Sequence, residues 1–466
     1  MTFESSRRAV RRTLALSAAA GVLAVGTGAP AAAQGASTQP PPLDPSAQPA
    51  HGALSPKPAQ QQQACMQPSA DSAPIEDKPW SQLGLGYERA HEQGYDGAGT
   101  KVAVIDTGVN QHPELEGHLQ DGGGSAVPDG GATTDCDGHG TLVAGFIAAN
   151  GNLPNTGFIG VAPKAQILSI RQSSSKYQSG GKPVGDTETL AQAIQHAVDE
   201  GADVINISQA SCQPIAQAAD PHNRGNQELH NAVDNARRAG SVVVAAAGNS
   251  DECQQNNPGS PTTAVLPAWF NQDVLTVGSV GRQGGASPFT VAGPWVDVAA
   301  PGEQLIGLDP AKGGSGLVNR IPTGQGQQQG PIQGTSFSTP YVSGLVALLK
   351  QKYGTKLTPQ QIVDRVEKTA IHPGGENGRN DVVGYGEVDV MAALDDVVPS
   401  EHGQRTAAAH KRALDADEFP KRNWPALAVA FGGAGIGIAA VLFTAFMVNA
   451  VRNLRARRAG RWEDEV

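Results

Sequence analysis

The chain has 466 residues, including 58 Gly and 33 Pro, and 17 % are charged. That length suits one large domain with appendages or two domains, and the composition suits a loop-rich globular protein with low-complexity flanks rather than a charged disordered chain. A formal net charge of −10 argues against nucleic acid as a partner, and no zinc spacing, Walker loop or dinucleotide fingerprint is present.

Arg7, Arg8, Arg11 and Arg12 give a basic start, followed by the apolar run LALSAAAGVLAVGTG and the small-residue stretch APAAAQ. Together they predict a signal peptide over residues 1–33, cleaved after Ala33 and compatible with the Sec or the twin-arginine route. The run is short and Gly/Ala-rich for a membrane span. Residues 34–79 are rich in Pro, Gln and Ala and lack the apolar content for a core of their own, so they read as an extension. Cys65 lies inside it, which predicts that part of the extension is pinned to the body.

Five Val/Ile-rich runs follow: KVAVID (101–106), AQILSI (165–170), DVINIS (203–208), SVVVAAAG (241–248) and DVLTVGSV (273–280). Helical spacing appears between them, at Leu190, Ile194, Ala197 and Val198 within residues 187–200, and again over residues 226–239. Apolar strands joined by helices predict an α/β fold with a mostly parallel twisted sheet covered on both faces. Such sheets place their sites at the carboxyl ends of strands, which directs attention to the residues just after Asp106, Ser208 and Gly248. Residues 313–334, rich in Gly and Gln, read as a surface loop, as do the stretches 171–186, 213–228 and 310–333. An apolar helix over 336–350 follows, with Val342, Leu345, Val346 and Leu349 on one face.

Residues 399–424 are polar and charged and read as a membrane-proximal linker. Residues 425–451 carry no charge and are long enough to span a bilayer as a helix. Trp424 stands at the expected interface, and Arg452, Arg455, Arg457, Arg458 and Arg461 follow, which by the positive-inside rule puts the tail, 452–466, in the cytoplasm. The body between is then expected outside the cytoplasmic membrane. Four cysteines, Cys65, Cys136, Cys212 and Cys253, in an exported chain predict two disulfides, with three possible pairings.

Four sites could carry chemistry. Asp106 ends a strand, where a carboxylate can orient a base. His139, in DCDGHGTLVAG (135–145), sits at a loop-to-helix junction and can serve as general base near neutral pH. His112, in NQHPELEG, is a competing histidine close to Asp106 in sequence. Asn249, after VVVAAAG, could donate its amide to a developing oxyanion. The stretch GTSFSTPYVSG (334–344) holds four hydroxyls at a helix start, of which one could be a nucleophile.

The order Asp, His, Asn, Ser with these flanks resembles the subtilisin-like serine proteases: VIDTG, DGHGTLVAG, AAAGN and GTSFSTPYVSG match the four active-site blocks of that family over about residues 80–395. The order also differs from that of chymotrypsin-like enzymes and of α/β-hydrolases. The resemblance implies a subtilisin-like fold with Ser336 as nucleophile, His139 as base and Asp106 as its orienting partner. It further implies an oxyanion hole from Asn249 and the Ser336 N–H. Extended protein substrate would pair along Ser208, Gln209 and Ala210, and the specificity pocket would be walled by Ala245, Ala246, Ala247 and Gly248.

The whole layout is similar to that of the mycosins, the membrane-anchored subtilases of actinobacterial type VII secretion systems: signal peptide, extension, peptidase body over 80–398, linker, one membrane helix and a basic tail. That resemblance implies cleavage of secreted proteins, a structural role in the secretion complex, and an extension that wraps the body without acting as an inhibitory propeptide. Cys212 and Cys253 each lie four residues after a site block, Ser208 and Asn249, on strand ends expected to be neighbours. This suggests Cys212–Cys253 and, by remainder, Cys65–Cys136. No cofactor or metal is expected. Many subtilases bind a structural calcium, but DGGG (121–124) and GGENGRND (374–381) read as turns.

Overall fold

A computed structural model describes residues 39–69, 75–322, 328–374, 378–402 and 424–459, with side chains described outside 424–436 and 456–459. The expected signal peptide and most of the linker lie outside the described residues.

Seven strands form the central sheet: β1 Lys101–Asp106, β2 Leu119–Ser125, β3 Gln166–Arg171, β4 Val204–Ile207, β5 Val242–Ala246, β6 Val274–Val280 and β7 Val298–Pro301. Their order is β7-β6-β5-β4-β1-β3-β2, and every pairing is parallel. Chain direction across the sheet reverses at β1, which has β3 on one side and β4 on the other. Such a reversal opens a crevice at the carboxyl ends of the strands.

Side chains on a strand alternate between faces. Val102 and Val104 of β1, Val204 of β4 and Val242 and Val244 of β5 join one core layer, while Ala103, Ile105, Ile205, Ile207, Val243 and Ala245 join the other. The first layer is closed by α1 (His139–Ala148) and α4 (Thr335–Tyr353), the second by α2 (Thr187–Asp199) and α3 (Arg224–Ala239). Each fully buried Val or Ile contributes roughly 1.5–3 kcal/mol over its exposed state, so β1 alone commits the chain to both layers. α2 starts at a capping box of Asp186 and Thr189, and α3 stops at Gly240, whose φ of 98° favours glycine.

The alternation also decides the site. Asp106 has the parity of Val102 and Val104, so it points to the layer of α1 and α4. Both helices begin at the carboxyl end of the sheet, and Phe337 and Tyr341 of α4 pack against Phe146 of α1 with ring centroids 6.0 and 5.2 Å apart.

The extension has no core of its own and lies on the body. Ala47 and Leu54 are buried, Asn231 of α3 donates to the Asp44 and Ala47 carbonyls, and Gln60–Gln61 pairs antiparallel with Ser174–Ser179. Cys65 is bonded to Cys136, Cα–Cα 4.4 Å, and Cys212 to Cys253, 5.6 Å.

Several expectations need correcting. The stretch 171–186 is a hairpin, Ser174–Ser179 with Lys182–Val184, and 313–334 contains the antiparallel pair Arg320–Pro322 and Gln329–Pro331. DGGG is no turn but the bulged middle of edge strand β2, where a Cβ on Gly122 would stand 2.4 Å from the Ser169 carbonyl oxygen. Just past residue 398, Glu401 forms a buried ion pair with Arg365 of α5 (Pro359–Thr369). In the separate C-terminal unit, helix α6 runs from Trp424 to Ala459, and its segment Gly437–Arg455 is long and apolar enough to cross a membrane.

Candidate active site

The expected residues converge at the crevice. Asp106 is fully buried at the end of β1, and its Oδ1 accepts from Thr107 N at 2.8 Å and from the His139 ring Nδ1 at 2.7 Å. His139 is the first residue of α1, after Gly138, whose φ of 84° favours glycine. Gly140 allows the close approach of α1 to the turn after β1: a Cβ there would lie 2.1 Å from the Gly108 carbonyl oxygen and 3.1 Å from Asp106 Cβ. Burial pulls the imidazole pKa down, but the charge and hydrogen bond of Asp106, with the charges of Asp135 and Glu252, outweigh it and raise it to about 9.

Ser336 lies in the first turn of α4, where an α-helix leaves backbone N–H groups unpaired. The ring of the next residue, Phe337, lies against the His139 imidazole with centroids 4.9 Å apart. Gly334, at φ 146°, precedes the helix. A Cβ on it would lie 3.1 Å from Ser336 Oγ and 3.5 Å from Asn249 Nδ2, so both atoms border one small space that glycine leaves open. Asn249 is oriented from the other side: its Oδ1 accepts from Thr335 N at 2.9 Å and Thr335 Oγ1 at 3.1 Å, which turns Nδ2 toward that space. Among the described residues no hydrogen bond joins the Ser336 hydroxyl to His139. Such contacts are often long in unliganded sites and tighten with substrate.

Pro340 is the sixth residue of α4. Its missing N–H leaves the Ser336 carbonyl without the usual helical donor. His112 is excluded from the cluster: its Nδ1 accepts from Glu114 N at 3.1 Å, capping the short turn Pro113–Leu115.

The expected substrate-binding residues lie at and just after the ends of β4 and β5. Ser208 is buried and its Oγ accepts from Asn206 Nδ2, while Asn206 Oδ1 accepts from Ser343 of α4. Gln209 Oε1 accepts from Ser173 Oγ at 2.5 Å, and Ala210 leads into Ser211–Pro214. Ala245 and Ala246 end β5 and Ala247 and Gly248 follow it, all four buried, and the Cys212–Cys253 bond ties together the segments that follow β4 and β5.

Sequence reasoning missed Asn206 and Asp135, and read Thr335 only as one of the four hydroxyls of 334–344, not as the partner of Asn249. Asp135, four residues before His139 and just ahead of a helix start, fits the pattern of a capping acid. Thr335 and Asn206 carry no signal beyond being polar.

The subtilase family profile matches residues 97–386. Mycosin-4 of Mycobacterium tuberculosis is 46 % identical over 384 residues, covering 78 % of this chain and 80 % of that protein. A solved structure described as the serine protease MycP1, an essential component of the type VII (ESX-1) secretion system, superposes with a TM-score of 0.68 at 39 % identity, covering 77 % of this chain and all of that one. A chain of an intact ESX-5 inner membrane complex superposes with a TM-score of 0.70 at 34 % identity, covering 89 % of this chain and all of that one.

Proposed function

The chain belongs to the mycosins, serine endopeptidases of the subtilase family, and from that premise we propose that it cleaves secreted proteins outside the cytoplasmic membrane, anchored by α6 beside a type VII secretion complex. The observation that carries the catalytic part is the single space bordered by Ser336 Oγ and Asn249 Nδ2, next to a histidine bonded to a buried carboxylate.

Ser336 Oγ attacks the scissile carbonyl carbon while His139 Nε2 takes its proton. Asp106 holds Nδ1–H toward itself, fixes the tautomer and stabilises the imidazolium. The oxyanion receives hydrogen bonds from Asn249 Nδ2 and the Ser336 N–H, at the positive end of α4. His139 then protonates the leaving amine, and water resolves the acyl-enzyme by the same steps in reverse roles. Substrate lies extended along Ser208, Gln209 and Ala210, with its side chain directed at Ala246, Ala247 and Gly248. The reaction draws on no cofactor. In the domain arrangement that we propose, residues 1–33 direct export, 34–79 strap the body, and 452–466 remain in the cytoplasm.

A second reading is favoured by the likeness to a chain of the ESX-5 inner membrane complex: the protein is mainly a structural subunit of a secretion complex, with proteolysis incidental. Comparing secretion and N-terminal peptide profiles of secreted proteins in wild-type, Ser336→Ala and deletion strains separates the two. We expect Ser336→Ala to remove specific cleavages while secretion persists, and deletion to remove both. Identical cleavage profiles in wild type and Ser336→Ala would exclude the proteolytic reading.

A further inference from the structure

Asp135 has a place in this site beyond capping a helix. It is buried, and both carboxylate oxygens are fully engaged. Oδ1 accepts from Thr107 Oγ1 at 2.9 Å, Gly138 N at 2.7 Å and Asp137 N at 3.2 Å, while Oδ2 accepts from Thr141 N at 2.9 Å and Thr141 Oγ1 at 2.7 Å. The backbone of Asp135 is itself gripped by Asn110, which accepts from its N–H at 3.0 Å and donates to its carbonyl at 2.7 Å.

Three of these partners belong to the two halves of the catalytic pair. Thr107 is the residue after Asp106, and Gly138 and Thr141 flank His139. Thr107 Oγ1 also accepts from Gly140 N at 3.0 Å, so the same hydroxyl is pinned to α1. That hydroxyl has one proton and two acidic neighbours, Asp135 at 2.9 Å and Asp106 Oδ1 at 3.3 Å. The shorter contact directs the proton to Asp135 and leaves Asp106 Oδ1 to the His139 ring and the Thr107 N–H.

We propose that Asp135 is a positioning residue of the catalytic pair: through Thr107 and the first turn of α1 it sets the Asp106–His139 hydrogen bond and keeps the Thr107 proton away from Asp106. Its charge acts on His139 in the same sense as that of Asp106 and Glu252. Burial pushes the Asp135 pKa up to about 6 and the charge of Asp137 adds to the rise, so Asp135 is an anion above that pH, and Arg171 is placed to offset its charge. Replacing Asp135 with Asn removes the anion and lets the Thr107 proton turn to Asp106. Both changes favour the neutral imidazole, so the His139 pKa falls.

The inference rests on the proteolytic reading above, and two readouts keep them apart. The first is the NMR titration of the His139 imidazole in the full chain. The second is the rate at which an alkyl fluorophosphonate labels Ser336, followed against pH. For Asp135→Asn we expect the His139 midpoint and the acid limb of labelling to move together to lower pH, with the high-pH plateau down about tenfold from misalignment. A lower plateau with no movement of either midpoint means a merely structural role and overturns the proposal, as does wild-type behaviour in both. If Asp135→Asn does not fold, Thr107→Ser should behave as wild type and Thr107→Val should lower the plateau about tenfold by the same loss of alignment. A wild-type plateau in Thr107→Val overturns it. If wild type itself resists labelling while the His139 midpoint still shifts in Asp135→Asn, the proteolytic reading fails and the positioning role stands.

Discussion

At the scale of single residues, the site depends on what each side chain is prevented from doing. Asn249 would be an ordinary turn residue if Thr335 did not occupy its oxygen through two hydrogen bonds, leaving the amide nitrogen as donor. Asn249→Ala should therefore lower kcat by about 10²–10³ with little change in KM, the size of effect known for this donor in subtilisin itself. Steady-state kinetics on a peptide substrate measure it. In the proposed mechanism His139 must be neutral to accept the Ser336 proton. Its pKa is raised from 6.5 to about 9 by the acidic groups around it, despite burial. Activity should thus be low below pH 6.5 and climb on the alkaline side, and a kcat/KM profile with its acid limb below 6.5 would contradict this. The same interaction stabilises the folded chain fully below pH 6.5 and is lost as pH rises through about 9.

At the scale of elements, two helix starts and one strand end must meet within hydrogen-bond reach. α1 reaches β1 only because residue 140 has no side chain. Gly140→Ala would push a methyl group against the Gly108 carbonyl oxygen, a backbone atom with no freedom to swing aside. Overpacking of this kind costs typically 1–3 kcal/mol, so a lower Tm together with a larger loss of activity is expected from calorimetry and kinetics. The strands that carry the site were legible in the sequence because they are buried on both faces: KVAVID coincides with β1, and the runs at 165–170, 203–208, 241–248 and 273–280 fall within a residue or two of β3 to β6. Asp106, His139, Asn249 and Ser336 were legible for a related reason, each standing where such an element ends or begins. The hairpin 174–184 and edge strand β2 were not. Their segments, SSKYQS, KPV and LQDGGGS, are polar or glycine-rich and pair at the periphery, where backbone hydrogen bonds and single apolar side chains such as Tyr177 and Val184, with no Val/Ile run, hold them. Asp135 escaped notice because its role depends on Thr107, which is distant in sequence and near only after folding.

At the scale of the whole molecule, the extension, the peptidase body and the apolar helix divide the work. The extension crosses the body from α3 to the loop of His139, tethered by Asn231 at one end and by Cys65–Cys136 at the other. At the far end of the body, Arg365 holds Glu401 with both guanidinium and carboxylate buried, and donates to the Ala393 and Asp396 carbonyls, which anchors the segment through residue 401. Loss of one partner of such a pair leaves a buried charge, a reason for the body to continue beyond its last strand and helix. We propose that this assembly is a working peptidase whose nucleophile is Ser336. Intact-mass and peptide-level mass spectrometry of the detergent-solubilised full chain, after treatment with an alkyl fluorophosphonate, tests this. One adduct is expected, on Ser336, absent from Ser336→Ala and strongly slowed in His139→Ala. An unlabelled wild type, or an adduct that persists in Ser336→Ala, would contradict it.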